Sequence, residues 1–196
     1  AGLLARTPQR GSVHLMRILV TGGTGFVGGA LVRALQARGD SVRVLARPNS
    51  STAALESVGV EIARGNILDR ASIAAALDGC DTLFHAAALY DLWGLNEAEL
   101  LATETEGTRN AMDAALGAGT GRVVYTSTAV CIGEKKGQVA TTATAHRGYY
   151  LSIYEKAKYA AEQIALSYVE KGLPLVAVCP AGVYGPGDHK PTGRFI

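Results

Sequence analysis

Two residues four apart carry the most specific chemistry this chain offers: Tyr154 and Lys158, in Tyr154-Glu155-Lys156-Ala157-Lys158. On a helix, side chains at that spacing share one face, one turn apart. A phenol near its ordinary pKa of about 10 is a poor base at neutral pH. A neighbouring ammonium stabilises the phenolate and lowers that value. Each unit corresponds to about 1.4 kcal/mol, so bringing the phenol near ~7 asks for about 4 kcal/mol. One solvated lysine does not supply that much. A lysine joined by a second positive charge in a water-poor cleft does. Tyr150, four residues earlier, would continue the same face and is the competing phenol. A tyrosine and lysine at this spacing are more often a solvated pair, so the motif needs company.

The first companion is Thr126-Ser127-Thr128, three hydroxyls at the end of a short strand, Val123-Val124-Tyr125-Thr126. The carboxyl ends of strands in open parallel sheets are where ligands bind. One of these hydroxyls can hold a reacting oxygen. Alone, the run is an ordinary strand end rich in β-formers.

The second companion is Arg17-Ile18-Leu19-Val20-Thr21-Gly22-Gly23-Thr24-Gly25-Phe26-Val27-Gly28. An apolar run, read as a buried strand, meets a glycine turn and then an alanine- and leucine-rich helix over Phe26–Arg38. Gly22 supplies the tight turn, Gly25 clears the path of a pyrophosphate, and Gly28 lets the helix pack on the strand. The free N–H groups and positive dipole end of that helix would hold the phosphates. Strand before and helix after is the context this dinucleotide motif requires.

The elements that position these groups alternate. Strands are expected at Ile18–Thr21, Val42–Ala46, Val60–Ala63, Thr82–His85, Val123–Thr126 and Leu175–Val178. Helices are expected at Phe26–Arg38, Ala53–Ser57, Ser72–Leu77, Glu97–Ala118 (its pattern interrupted near Gly107) and Tyr149–Lys171. Strands separated by helices argue for a doubly wound parallel α/β sheet, and right-handed crossovers favour the Rossmann order 3-2-1-4-5-6. Residues 1–15 match no pattern and are read as a disordered leader, with residues 16–196 forming one Rossmann domain.

The end of the second strand chooses between dinucleotides. An acid there would bond a ribose 2′-hydroxyl, whereas an arginine accepts a 2′-phosphate. Ala46-Arg47-Pro48-Asn49-Ser50 has no acid, and Arg47 offers a planar fork of donors, so NADP is favoured over NAD. Asn66, after the third strand, would lie beside the adenine and can bond a base edge; it is also an ordinary turn residue.

Composition excludes other classes. Apolar residues make up 48% of the 196, enough for a sizeable core, and the net charge of +2 leaves no footprint for nucleic acid. No apolar run reaches membrane-spanning length. The three cysteines, Cys80, Cys131 and Cys179, form no metal-binding spacing and fit reduced thiols of a cytoplasmic protein. No metal is expected.

Thr21-Gly22-x-x-Gly25-x-x-Gly28, Gly65-Asn66-Ile67, His85-Ala86-Ala87-Ala88, Thr126-Ser127-Thr128 and Tyr154-x-x-x-Lys158 occur in the order found in the extended short-chain dehydrogenase/reductases, the NAD-dependent epimerase/dehydratase family. Within it, Val42–Pro48, Leu89-Tyr90-Asp91-Leu92-Trp93 and Gly107-Thr108-Arg109-Asn110 resemble the dihydroflavonol-reductase-like branch, most closely its hopanoid-associated sugar epimerases. The resemblance implies Tyr154 as acid/base, Lys158 as ribose anchor, Thr128 as the carbonyl-orienting hydroxyl and Arg47 as the 2′-phosphate contact. It implies a cofactor lining of Gly22, Thr24, Gly25, Phe26, Val27, Arg47, Asn66, Ile67, Ala86, Ala87, Ala88, Thr126, Tyr154, Lys158, Pro180 and Val183. It also implies a homodimer built on the two long helices. The expected activity is hydride transfer between NADP and a secondary alcohol or ketone of a sugar-nucleotide or flavonol-like substrate. The alternative is an inactive NAD(P)-binding protein or fragment.

Three departures stand out. Asn66 replaces the family's usual Asp. Glu104, in Glu104-Thr105-Glu106-Gly107-Thr108, replaces the asparagine of the proton relay. The chain stops at Ile196, whereas extended members are far longer and build the substrate pocket from their C-terminal part, so that part is expected to be truncated here.

Overall fold

In the computed structural model, residues 16–89, 96–141 and 143–188 are described. The leader expected at residues 1–15 lies outside them, as do Tyr90–Trp93 of the branch motif.

Six parallel strands, β1 (Arg17–Thr21), β2 (Ser41–Ala46), β3 (Glu61–Arg64), β4 (Thr82–His85), β5 (Arg122–Thr126) and β6 (Leu175–Val178), form one sheet. Their order is β3-β2-β1-β4-β5-β6, as the alternating pattern predicts. The helices are α1 (Phe26–Ala37), α2 (Ala53–Glu56), α3 (Arg70–Leu77), α4 (Glu97–Gly117) and α5 (Ile153–Ser167). Side chains alternate along each strand. Ile18, Val20, Val42 and Val44 go to one core with Val32 and Leu35 of α1. Leu19, Leu45, Leu83, Val123 and Tyr125 go to the other, under Ile73 and Leu77 of α3, Met112 of α4 and Ala161 and Ala165 of α5.

The second core ends in a polar row at the carboxyl edge. Register places Thr21 beside His85, and His85 beside Tyr125, all three buried. The chemistry is stacked on this row.

Several expected bounds shift. β3 runs one residue later than Val60–Ala63, because Val60 closes a turn by donating to Leu55. α3 begins at Arg70, where Asp69 caps it by accepting from Ala71 N–H. α4 continues through Gly107, where a Cβ would come within 2.6 Å of Ile67. The glycine marks a close packing contact, not an interruption.

The largest correction is α5, expected at Tyr149–Lys171 and observed at Ile153–Ser167. Ser152 caps it by accepting from Glu155 N–H, and Glu155 reaches back to accept from Leu151 N–H. This is a variant of the capping box, a start signal present in the sequence. Tyr149 and Tyr150 therefore precede the helix, and Tyr150 does not continue the Tyr154 face. A 3₁₀ turn, Ala129–Ile132, also goes unread in the sequence.

Candidate active site

The glycine turn is set by close approach. Gly22 has φ +76°, and a Cβ there would lie 2.6 Å from the backbone of Ala86 and Ala87. A Cβ on Gly28 would lie 2.1 Å from the Gly22 carbonyl, so α1 meets β1 backbone to backbone. Gly25 differs: the nearest atom to its Cβ would be the Gly22 carbonyl at 3.3 Å. A Cβ there would be tight against this carbonyl but not in outright clash, unlike at Gly22 and Gly28. Gly25 is also the N-cap of α1; no side chain caps this end, and its first turn holds no acid. The end of α1 thus presents backbone donors and its positive pole to an anion. Thr24 and Val27 are exposed at this turn, and Phe26 lies beside Gly185. These residues fit a dinucleotide pyrophosphate.

The segment after β4 is tied to β1. Ala86 N–H donates to the Thr21 carbonyl (3.2 Å) and Ala87 N–H to Thr21 Oγ1 (3.3 Å). The Thr21 hydroxyl also pairs with His85 Nδ1, 2.9 Å away. Burial, and secondarily the charge of Lys158, push the His85 pKa down to about 3. His85 is a neutral spacer and does not act as a base here. Ala88 is exposed beyond it.

At the far edge, Arg47 is exposed after β2. Its loop is braced by Arg64 at the end of β3, which donates to the carbonyls of Arg47 (3.3 Å) and Ser50 (3.1 Å) and to Thr52 Oγ1 (2.6 Å). The sequence reading missed Arg64, because only strand pairing brings it beside the loop. Asn66 Oδ1 accepts from Leu68 N–H in a turn, so only its Nδ2 end would be offered to a base edge. The Ile67 carbonyl accepts from Asn110 of α4.

The three hydroxyl residues at the end of β5 separate cleanly. Ser127 is buried and hydrogen-bonded to the Glu162 carboxylate, which removes it from any ligand. Thr126 contributes its carbonyl, which accepts from Lys158 Nζ at 3.1 Å. Thr128 is partly exposed, and its hydroxyl lies close enough to the Tyr154 phenol to favour the phenolate slightly. Glu162 was also missed, although it continues the face of Tyr154 and Lys158 one turn on. Pro180 accepts from Ala129 N–H (2.9 Å), which anchors the segment after β6, and Val183 is exposed. Tyr150 is 41% exposed and packs on His146 and Tyr159.

Lys158 is 2% exposed, with its ammonium 5.3 Å above the Tyr125 ring. It pairs with Glu104 Oε2 at 3.2 Å, and Glu104 is equally buried. The other carboxylate oxygen, Oε1, accepts from Leu89 N–H at 2.9 Å. Burial raises the Tyr154 pKa above its ordinary value; Lys158 lowers it, and Glu104 works against Lys158.

The sheet order and the glycine turn define a Rossmann-type dinucleotide platform. The sequence profile of the NAD dependent epimerase/dehydratase family matches residues 18–196, and the chain belongs to that family. It is similar to sterol demethylase protein B of Methylococcus capsulatus, 39% identical over 184 residues, covering 92% of this chain and 56% of the relative. A Synechocystis protein provisionally named dihydroflavonol 4-reductase is 39% identical over 175 residues, covering 88% and 51%. The dTDP-glucose 4,6-dehydratase DesIV of Streptomyces venezuelae, solved with NAD and TYD bound, superposes with a TM-score of 0.78 at 29% identity, covering 89% of this chain and 58% of that one. The chain spans about half the length of the curated relatives it matches. No helix of the described residues is long and apolar enough to cross a membrane.

Proposed function

We propose that this chain carries the cofactor platform and proton-transfer groups of an NADP-linked oxidoreductase. It would act at a secondary alcohol or ketone of a sugar-nucleotide or flavonol-like substrate, as reductase, dehydrogenase or epimerase. One observation carries the reading: Tyr154 and the Thr128 hydroxyl lie near each other at the carboxyl end of β5, with Lys158, one turn from Tyr154, buried and bonded to the Thr126 carbonyl. The nicotinamide, when bound, supplies or accepts the hydride. In reduction, Tyr154 gives its phenolic proton to the carbonyl oxygen, and Thr128 orients that oxygen. Lys158 has donors engaged by Thr126 and Glu104 and a third for a ribose hydroxyl. Epimerisation uses the same step in both directions, with the ketone turned over in between. Arg47 and the missing acid after β2 support NADP over NAD. A cytoplasmic homodimer belongs to the same proposal, resting on the family resemblance.

The second reading is an NADP-binding protein that has lost turnover. Glu104, paired with the lysine at the relay position, favours it.

The test is turnover in the full-length protein. Tyr154→Phe should abolish ketone reduction or epimer exchange and leave NADPH binding nearly intact. Thr128→Ser should be tolerated, and Thr128→Val should cost on the order of a hundredfold or more in rate. Activity surviving Tyr154→Phe but lost in Tyr150→Phe would mean the wrong phenol was chosen. Tight NADPH binding with no turnover of any ketone or sugar epimer would favour the second reading.

A further inference from the structure

Lys158 does not face the phenol alone. The groups around it come from five elements. α5 supplies Tyr154, and also Glu162, which is engaged by Ser127. β5 supplies the Tyr125 ring and the Thr126 carbonyl. β4 supplies neutral His85, and the 3₁₀ turn supplies Cys131, whose thiol burial pushes up to about 11. α4 supplies Glu104, whose carboxylate lies 3.2 Å from the ammonium. That carboxylate also holds Leu89 N–H, so it joins the segment after β4 to the lysine.

An ammonium and a carboxylate in buried contact largely cancel at a third group nearby. The phenol then sees far less positive charge than a lone lysine would give it. We propose that Glu104 is a positioning residue whose carboxylate balances the Lys158 charge, so that Tyr154 stays a proton donor until oxidised cofactor brings a second positive charge. This rests on Tyr154 being the acid/base group.

The charges have two consequences. First, removing the carboxylate leaves the full lysine charge beside the phenol and makes the phenolate easier to form. Second, a positively charged nicotinamide would then meet an unbalanced ammonium, so oxidised cofactor should bind less well relative to reduced cofactor. A neutral ring is indifferent to the change.

The experiment is a pH titration by NMR of the chain labelled with ¹³C at tyrosine Cζ, the Tyr154 signal being assigned by its loss in Tyr154→Phe. In Glu104→Gln, which retains an oxygen for Leu89 N–H, the Tyr154 midpoint should fall by about one pH unit or more. Fluorescence titration should show the NADP⁺-to-NADPH dissociation-constant ratio rising several-fold. Glu104→Asp, which keeps the charge, should hold the midpoint near that of the unaltered protein. An unchanged midpoint in Glu104→Gln, or an equal fall in both variants, overturns the proposal. If Glu104→Gln does not fold, the unaltered protein decides. Its Tyr154 midpoint should lie above about 10 without cofactor and fall with NADP⁺ but not with NADPH; a midpoint below that value, or the same fall with both, overturns it. These outcomes do not depend on turnover. A loss of the acid/base reading, seen as activity in Tyr154→Phe, is thereby distinguished from a loss of this one.

Discussion

The glycine turn after β1 and the Tyr154–Lys158–Glu104 cluster lie along one sheet edge and work by opposite means. The turn recognises with backbone. Its side chains are absent so that carbonyls, amides and a helix end can approach each other and an anion. The cluster recognises with buried charge. An ammonium and a carboxylate, each 2% exposed, are held between α4, α5 and β5. The first is a problem of steric room and the second a problem of balance, so the two regions should fail differently when altered.

The largest effect is expected at Gly28. A valine there would drive its Cβ into the Gly22 carbonyl, 2.1 Å away, so Gly28→Val should lose the cooperative thermal transition and NADPH binding together. Gly25→Ala is the contrast. Its backbone, φ −87° and ψ 175°, suits alanine, so stability should change by no more than about 1 kcal/mol while NADPH affinity drops. If denaturant unfolding shows Gly25→Ala as damaging as Gly28→Val, the division between internal and external clearance is wrong.

Next comes Lys158→Met. It strands the Glu104 carboxylate in the core, which should cost about 3–5 kcal/mol in urea unfolding. Glu104→Leu combined with Lys158→Met should recover most of that loss, because neither charge is then left unpaired. A double variant no more stable than Lys158→Met would show that the pair is not the coupled unit described.

The smallest effect lies at the ribose edge. Arg47→Ala should weaken NADPH by about tenfold, roughly 1.4 kcal/mol, and leave NADH unchanged. Fluorescence titration, with Trp93 as reporter, measures both. Equal affinities in the unaltered chain would remove Arg47 from cofactor choice.

Much of this was legible because it is local. The glycine spacing, the strand–helix alternation and the i, i+4 step from Tyr154 to Lys158 are short-range patterns. Strands Thr82–His85 and Leu175–Val178 fall where short runs between helical patterns put them. The start of α5 was legible too, in Ser152-x-x-Glu155, but the apolar and aromatic residues before it extended the expected helix past its cap.

What the sequence by itself determined is the order of the sheet and the spacing of the candidate site residues, since periodicity and turn chemistry act over a few residues. Choices among near neighbours belonged to tertiary structure. Ser127 and Thr128 are adjacent, yet one is buried on Glu162 and the other lies near Tyr154, because extended backbone beyond β5 turns successive side chains to opposite sides and only packing assigns the sides. The direction in which the Tyr154 pKa moves is set the same way. The spacing to Lys158 predicts a lowered phenol, but burial and a carboxylate from α4 reverse it, and both depend on how α4 and α5 lie against each other over β5.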